Sequence, residues 1–317
     1  MRIFITGATG VIGRRVVPRL IEQGHAVTAV GRSPEKRGAL ARLGATALDV
    51  DLFASHTLYA ALDGHDAVVN LATHMPASTA RMLLPGAWRE NDRLRSEASA
   101  NLAGAATRAG VPRLIQESFA PVYPDRGNEA IDENTPLAPE RFNRSIADAE
   151  QAALRFAERG GDAVVLRFAA FYGPDSKFLH ELAVLVRHGI APLFGPPEAF
   201  ISSVSHDDAA SAVIHALMLP SGVYNVSDDQ PVSHRAYAEA LADAIGAGTP
   251  HLPPVWLTPI MGSIGKMMAR SESISNAKLR ATGWAPRYRS VHEGFTAIAR
   301  DLGATGVHRH EPSPVRR

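Results

Sequence analysis

The 317-residue sequence contains no cysteine. No disulfide framework, thiolate nucleophile or thiolate metal site can therefore exist. Neither sign of charge is in excess, since 33 Lys and Arg face 32 Asp and Glu for a net charge of +1. Apart from a short HRHEPSPVRR tail there is no basic stripe or acidic block, so nothing calls for nucleic acid or an anionic membrane as partner. No apolar run reaches the length of a membrane span, and strand-like residues begin at Arg2, which leaves no room for a signal peptide. The expectation is a soluble, cytoplasmic protein. Internal repeats and low-complexity segments are missing too, and no G-x-S-x-G elbow places a nucleophile.

What is present is an alternation. RIFIT (2–6), AVTAV (26–30), ATALDV (45–50), AVVNLA (67–72), RLIQES (113–118) and AVVLRF (163–168) read as strands. Between them lie stretches whose apolar residues recur at three and four positions, most of them stopped by glycine: VIGRRVVPRLIEQG, SPEKRGALARLG, WRENDRLRSEASANLAGAATRAG and IADAEQAALRFAERGG. This rhythm predicts an α/β fold, a doubly wound parallel sheet covered by helices on both faces. After Gly173 it degrades into loops and Pro-rich pieces, with one more strand at GVYNVS (222–227). The expected division is a core of residues 1–175, with 201–228 returning to it, and a smaller lobe of 176–200 and 229–317.

Gly7, Gly10 and Gly13 follow the first strand and open the first helix, with Thr9, Val11 and Ile12 between them. A glycine at the bend permits positive φ, a second lets backbone N–H groups approach a pyrophosphate, and a third allows close helix packing. The context predicts a dinucleotide-binding turn. At the end of the second strand, where a carboxylate would bind the ribose 2′-OH of NAD, stand Gly31 and Arg32. A guanidinium pairs with a 2′-phosphate and the Ser33 hydroxyl adds a hydrogen bond, so NADP(H) is expected in preference to NAD(H). The bland alternative is a solvated arginine opening a loop.

The spacing in TGATGVIG, together with DVDL (49–52), NLAT (70–73) and YGP (172–174), resembles the extended short-chain dehydrogenases/reductases, the NAD(P)-dependent epimerase/dehydratase family. The likeness extends to residues 222–246 and 275–295. It implies a Rossmann-type sheet with a C-terminal substrate lobe. It also implies that Asp51 and Leu52 flank the adenine, that Leu71, Ala72 and Thr73 line the path to the nicotinamide, and that Ser118 and Phe168 adjoin the cofactor.

The same resemblance exposes a departure. Family members that transfer hydride carry a Ser or Thr at the end of the fifth strand and a Y-x-x-x-K pair on the next helix; aligning PVYP and Glu150 with the family puts Phe119, Phe142 and Ile146 at those three places. Two readings stay open: a reductase with another proton donor, or a dinucleotide-binding protein without redox turnover, either a sensor or a fold repurposed for a non-redox reaction. Candidate donors, in order, are His74 at the mouth of the fourth strand, Glu117 on the face of Phe119, and Tyr123; each could equally be structural. Phe119, Phe142, Phe171 and Tyr172 would converge on the nicotinamide end, so the expected substrate is a small apolar or aromatic molecule. Asp207 and Asp208 read as helix caps, HRH (308–310) as part of a tail and no metal site, and WLTPIMGSIGKMMARS (256–271) as core or substrate wall. A homodimer is compatible with the sequence, which carries no determinant of oligomeric state.

Overall fold

A computed structural model describes residues 1–76, 79–82 and 84–304. Seven parallel strands form its centre: β1 (Arg2–Thr6), β2 (Ala26–Val30), β3 (Thr46–Leu48), β4 (Ala67–Asn70), β5 (Arg113–Phe119), β6 (Asp162–Phe168) and, later in the chain, Gly222–Val226. Among the short strands that precede that last one, β7 (Ala170–Tyr172) and β8 (Ser203–Ser205) pair with each other, and the Gly222–Val226 strand is labelled β9. The sheet order is β9-β6-β5-β4-β1-β2-β3. It reverses beside β1, and the crevice outside the carboxyl ends of β1 and β4 is where such a sheet holds a ligand.

Branched residues on both sides of each strand explain the two-sided burial. Phe4, Val68, Leu114 and Val165 face α3 (Ser55–Leu62), α5 (Ser99–Arg108) and α6 (Ser145–Glu158). Ile3, Ile5, Val69, Ile115 and Leu166 face the other way, in one core with residues of α1 (Gly13–Glu22) and α8 (His206–His215). Further helices in chain order are α2 (Pro34–Arg42), α4 (Arg89–Arg93), α7 (Lys177–Arg187), α9 (His234–Ala244), α10 (Gly262–Met268) and α11 (Val291–Ala304), besides two of four residues each, Thr79–Met82 and Ala277–Arg280. Leu179 and Leu182 of α7, Tyr237 and Leu241 of α9 and Phe295 of α11 make a separate apolar cluster.

Between α4 and α5 the chain does not break. Residues Leu94–Ala98 widen into a π-turn, in which the Leu94 carbonyl accepts from the Ser99 backbone N–H and also from the Ser99 hydroxyl (3.2 Å). One extra residue in the turn rotates α4 against α5. The charge of Arg95 is buried here, on the i, i+4 face that Asn91, Ser99 and Ala103 also occupy.

Candidate functional site

Three glycines shape the turn after β1. Gly7 has φ +68°, and a Cβ on it would lie 2.2 Å from the Leu71 carbonyl oxygen; a Cβ on Gly13 would lie 2.3 Å from the Gly7 oxygen. Beside Gly10 the only neighbour that such an atom would meet among the described residues is the Gly7 oxygen at 3.2 Å, so the space over this residue is open. α1 starts with Ile12 as N-cap and no side-chain cap; the Arg14 and Arg15 amides donate to the Gly10 and Ile12 carbonyls (3.0 and 2.9 Å), and the Val11, Ile12 and Gly13 amides, with no partner among the described residues, are left to an anion. Val11 is exposed, Thr9 half-buried, and Ile12 anchors the turn in the core. The cradle fits a pyrophosphate.

At the carboxyl ends of β2 and β3 a cavity of about 210 Å³ is lined by Arg32, Asp49, Val50, Asp51, Leu52, Phe53 and Leu94. Asp51 turns its own loop by accepting from the Phe53 amide (2.9 Å), and Leu52 supplies an apolar wall. Arg32 is 61% exposed and meets Glu90 only at 4.0 Å, so it is free to turn toward a ligand. The Ser33 hydroxyl caps α2, accepting from the Lys36 amide (3.3 Å). Sequence reasoning missed Arg37, which donates to the Gly31 carbonyl (3.0 Å) and to Asp49 (2.7 Å). Its side chain fills the place where a Gly31 side chain would be, 2.8 Å from the hypothetical Cβ.

The other half of the crevice lies over β4, β5 and β6. Asn70 is the hub below it: it accepts from Thr6 (2.6 Å) and donates to Ser99 (3.1 Å) and Gln116 (2.9 Å), and Gln116 donates to the Glu117 carbonyl (2.8 Å). Leu71, Ala72 and Thr73 continue from this hub, with Leu71 pressed on Gly7. His74 is exposed, its backbone N–H held by Asn91 (2.9 Å). Phe119, Phe142 and Phe171 are half-buried, and Trp88, a residue the sequence did not single out, stacks on Phe142 at 5.2 Å. Ile146 is fully buried.

Five expectations change. Glu117 is not a free acid: its carboxylate takes a hydrogen bond from Arg95 at 2.9 Å, both side chains being buried. Ser118 points to the opposite face of β5 and donates to Glu150 (2.5 Å), so it does not reach a cofactor in the crevice. Tyr123 is not near the surface: it is wholly buried, donates to Asn225 (2.8 Å) and accepts from Arg167 (2.7 Å). Burial pushes its hydroxyl up to about 12, against the pull of Arg167. Phe168 is wholly buried too and is screened by Phe171, 5.3 Å away. Tyr172 turns into the lobe, where it packs on Phe295 at 5.3 Å; the YGP stretch follows a strand whose alternation sends this ring away from the crevice.

Around this site the secondary features resolve. The cap of α8 is Ser205, which accepts from the Asp208 amide (3.0 Å), while Asp207 pairs with Arg19 and Asp208 accepts from the Arg287 amide (2.6 Å). Trp256 is 71% exposed, so the 256–271 stretch is not core there; α10 packs against the turn that carries Phe142. The HRH triplet lies outside the described residues. Among the described residues no group of His, Asp or Glu is placed to hold a metal ion, and no helix is long and apolar enough to cross a membrane.

Comparison with known proteins points the same way. The model of a family described as NAD(P)H-binding matches residues 7–218. A 3-diazoavenalumate denitrifying reductase from a Streptomyces species is 31% identical over 315 residues, 93% of this chain and 99% of the relative. A 2-alkyl-3-oxoalkanoate reductase from Shewanella oneidensis is 26% identical, covering 80% of this chain and 67% of the relative. In fold, the chain is similar to the human epimerase family protein SDR39U1 crystallised with NADPH: TM-score 0.78, 22% identity, 95% of this chain and 99% of that one.

Proposed function

The chain belongs to the NAD(P)H-binding family, within the extended short-chain dehydrogenases/reductases, and from that premise we propose that it is an NADP(H)-dependent reductase of small aromatic electrophiles that works without a tyrosine acid. What supports the reading is the apolar character of this end of the crevice: Trp88 packs on Phe142 and Phe171 on Phe168, and the alignment with the family assigns Phe119, Phe142 and Ile146 to the places of its Ser, Tyr and Lys. Bound in the crevice, the reduced dinucleotide supplies hydride. The chain then has to hold a flat substrate against the nicotinamide and exclude water, which stacked aromatic side chains do.

A substrate that needs no proton at the reacting end suits such a wall. The 31% identical relative is named for denitrifying a diazo compound. An aryl diazonium that takes hydride becomes the arene and releases dinitrogen; the C–N bond electrons leave with nitrogen, the hydride pair forms C–H, and no acid takes part. Nucleotide sugars are poor candidates, because each polar group left unpaired on this wall costs about 1–3 kcal/mol. Arg32 beside the adenosine cavity favours the 2′-phosphate form of the cofactor.

The test is NADPH oxidation against a panel of an aryl diazonium, a hydrophobic ketone and a nucleotide sugar. Stoichiometric oxidation with the first or second is expected, with one arene and one dinitrogen per NADPH for the first. Oxidation with none of them sinks the redox reading and favours the second one, a dinucleotide-binding protein without turnover, for which the buried Ile146 in place of an ammonium speaks.

A further inference from the structure

Arg95 is buried to 6% exposure, yet its bonding is incomplete: Nη2 donates to Glu117 Oε1 at 2.9 Å, Nε has no partner, and no other hydrogen bond from it is found among the described residues. A guanidinium removed from water with most of its N–H donors unused is unfavourable, and an anionic or oxygen-rich ligand would complete it. Its position says which ligand. Leu94, the residue before it, lines the adenosine cavity, while Glu117, which anchors it, stands on β5, on the far side of β4 from β2 and β3. The guanidinium therefore lies past the adenosine, under the stretch of crevice that the second nucleotide of a dinucleotide crosses. Near the start of α6, the helix that faces it, the inward residue is Ile146, which carries no charge.

We infer that Arg95, aimed by Glu117, is the cation of the nicotinamide half of the cleft, donating to phosphate or ribose oxygens of the nicotinamide mononucleotide. This rests on the dinucleotide reading above. Its place on the helical run fits this, because Arg95 lies on the i, i+4 face that it shares with Asn91, Ser99 and Ala103, all of them buried, and Ser99 on that face meets Asn70 at the end of β4. Arg95 is thus a binding residue and Glu117 a positioning residue.

Calorimetric titration of the full chain with NADPH, reduced nicotinamide mononucleotide and 2′,5′-ADP tests the assignment on Arg95→Met, Arg95→Lys and Glu117→Gln. Arg95→Met should weaken NADPH and the mononucleotide by about tenfold or more and leave 2′,5′-ADP within about twofold, with Arg95→Lys between it and the parent. Glu117→Gln should weaken the mononucleotide less than Arg95→Met. A purely structural role would weaken all three ligands together, which overturns the inference, as does parental mononucleotide affinity in Arg95→Met. Unchanged mononucleotide affinity with a raised KM for an anionic substrate would reassign Arg95 to substrate and also overturns it. If Arg95→Met does not fold, the Arg95→Lys and Glu117→Gln titrations decide by the same criterion. Failure of the parent protein to bind NADPH or 2′,5′-ADP would instead overturn the functional reading itself.

Discussion

Two buried carboxylate–guanidinium pairs stand at the carboxyl ends of neighbouring strands and are built differently. Glu150 of α6 takes two hydrogen bonds from Arg167, at 2.8 and 2.7 Å, and a third from Ser118; Arg167 also donates to Tyr123, and Tyr123 to Asn225. Every partner there is engaged. Glu117 and Arg95 share a single bond at 2.9 Å, and Nε of Arg95 is left over. The complete pair ties α6, β5, β6 and β9 together and has nothing to offer a ligand. The incomplete one leaves guanidinium N–H groups unused, and that deficit is what the proposed ligand would fill. A third carboxylate, Asp228, extends the series: it is buried just after β9, and among the described residues no side chain bonds to it.

The largest effect expected from this comparison is on stability. Glu150→Ala leaves Arg167 buried and unpaired, which should cost about 3–5 kcal/mol in denaturant unfolding. Glu117→Ala should cost clearly less, because the Arg95 guanidinium is already incompletely bonded. Equal losses would show that the two pairs do the same work.

Asp228 breaks the comparison in a different way, through pH. Burial first, then the charges of Asp229, Asp208 and Glu293, push its carboxyl up to about 8, against the approach of the Gln230 amide. The folded protein keeps a proton here that the unfolded chain releases near pH 4, so its stabilising contribution is present below that value and is lost as pH rises through about 8. On the acid side, burial lowers His234 to about 4, so stability falls there as pH drops below the ordinary histidine range. Asp228→Asn should remove the alkaline limb only: the melting temperature of the variant should exceed the parent's at about pH 9 and match it at about pH 4. A parallel decline in both proteins would show that Asp228 is ionised throughout.

Much of the architecture was legible. The seven strands of the main sheet are visible as short apolar runs, clearest in β1, β4 and β6, where burial on both faces favours branched residues. β7, β8 and α3 were not read: Ala170–Tyr172 and Ser203–Ser205 are three residues each, and Ser55–Leu62 follows Ala54, which gives no cap. The same two-sided burial hid which face a residue takes. Ser118 and Phe119 differ by one position and lie on opposite sides, and Tyr172 points into the lobe although its neighbour Phe171 does not. Arg95 was overlooked because its face of the helical run, shared with Asn91, Ser99 and Ala103, is polar at its N-terminal end, so no apolar stripe marked that end as buried.

At the adenosine end the comparison predicts specificity. Arg32 is a cation with no close partner, so it can supply the 2′-phosphate with a charge-assisted contact without breaking an existing one. Arg32→Asp should weaken NADPH by about tenfold and leave NADH nearly unchanged, by calorimetric titration. Equal affinity of the parent for the two cofactors would remove the assignment, and Arg37, already engaged with Asp49, would not replace it.

The effect at His74 should depend on the substrate and be smallest with a diazonium. It is the most accessible of the three residues that could carry a proton, since Glu117 is bonded to Arg95 and Tyr123 is locked in the complete network. Its place in the loop is set by its backbone N–H on Asn91, not by its ring, so His74→Ala should fold as the parent does. A ketone reduced by hydride must gain a proton on oxygen, whereas an aryl diazonium that loses dinitrogen gains none. With the diazonium, His74→Ala should keep kcat within about twofold; with a ketone, if the parent turns it over, kcat should fall by about tenfold or more. Equal losses with both substrates would mean that His74 holds the substrate instead of protonating it. No loss with the ketone would leave bulk water as the proton source at an open cleft, and the apolar wall would then no longer explain the chemistry.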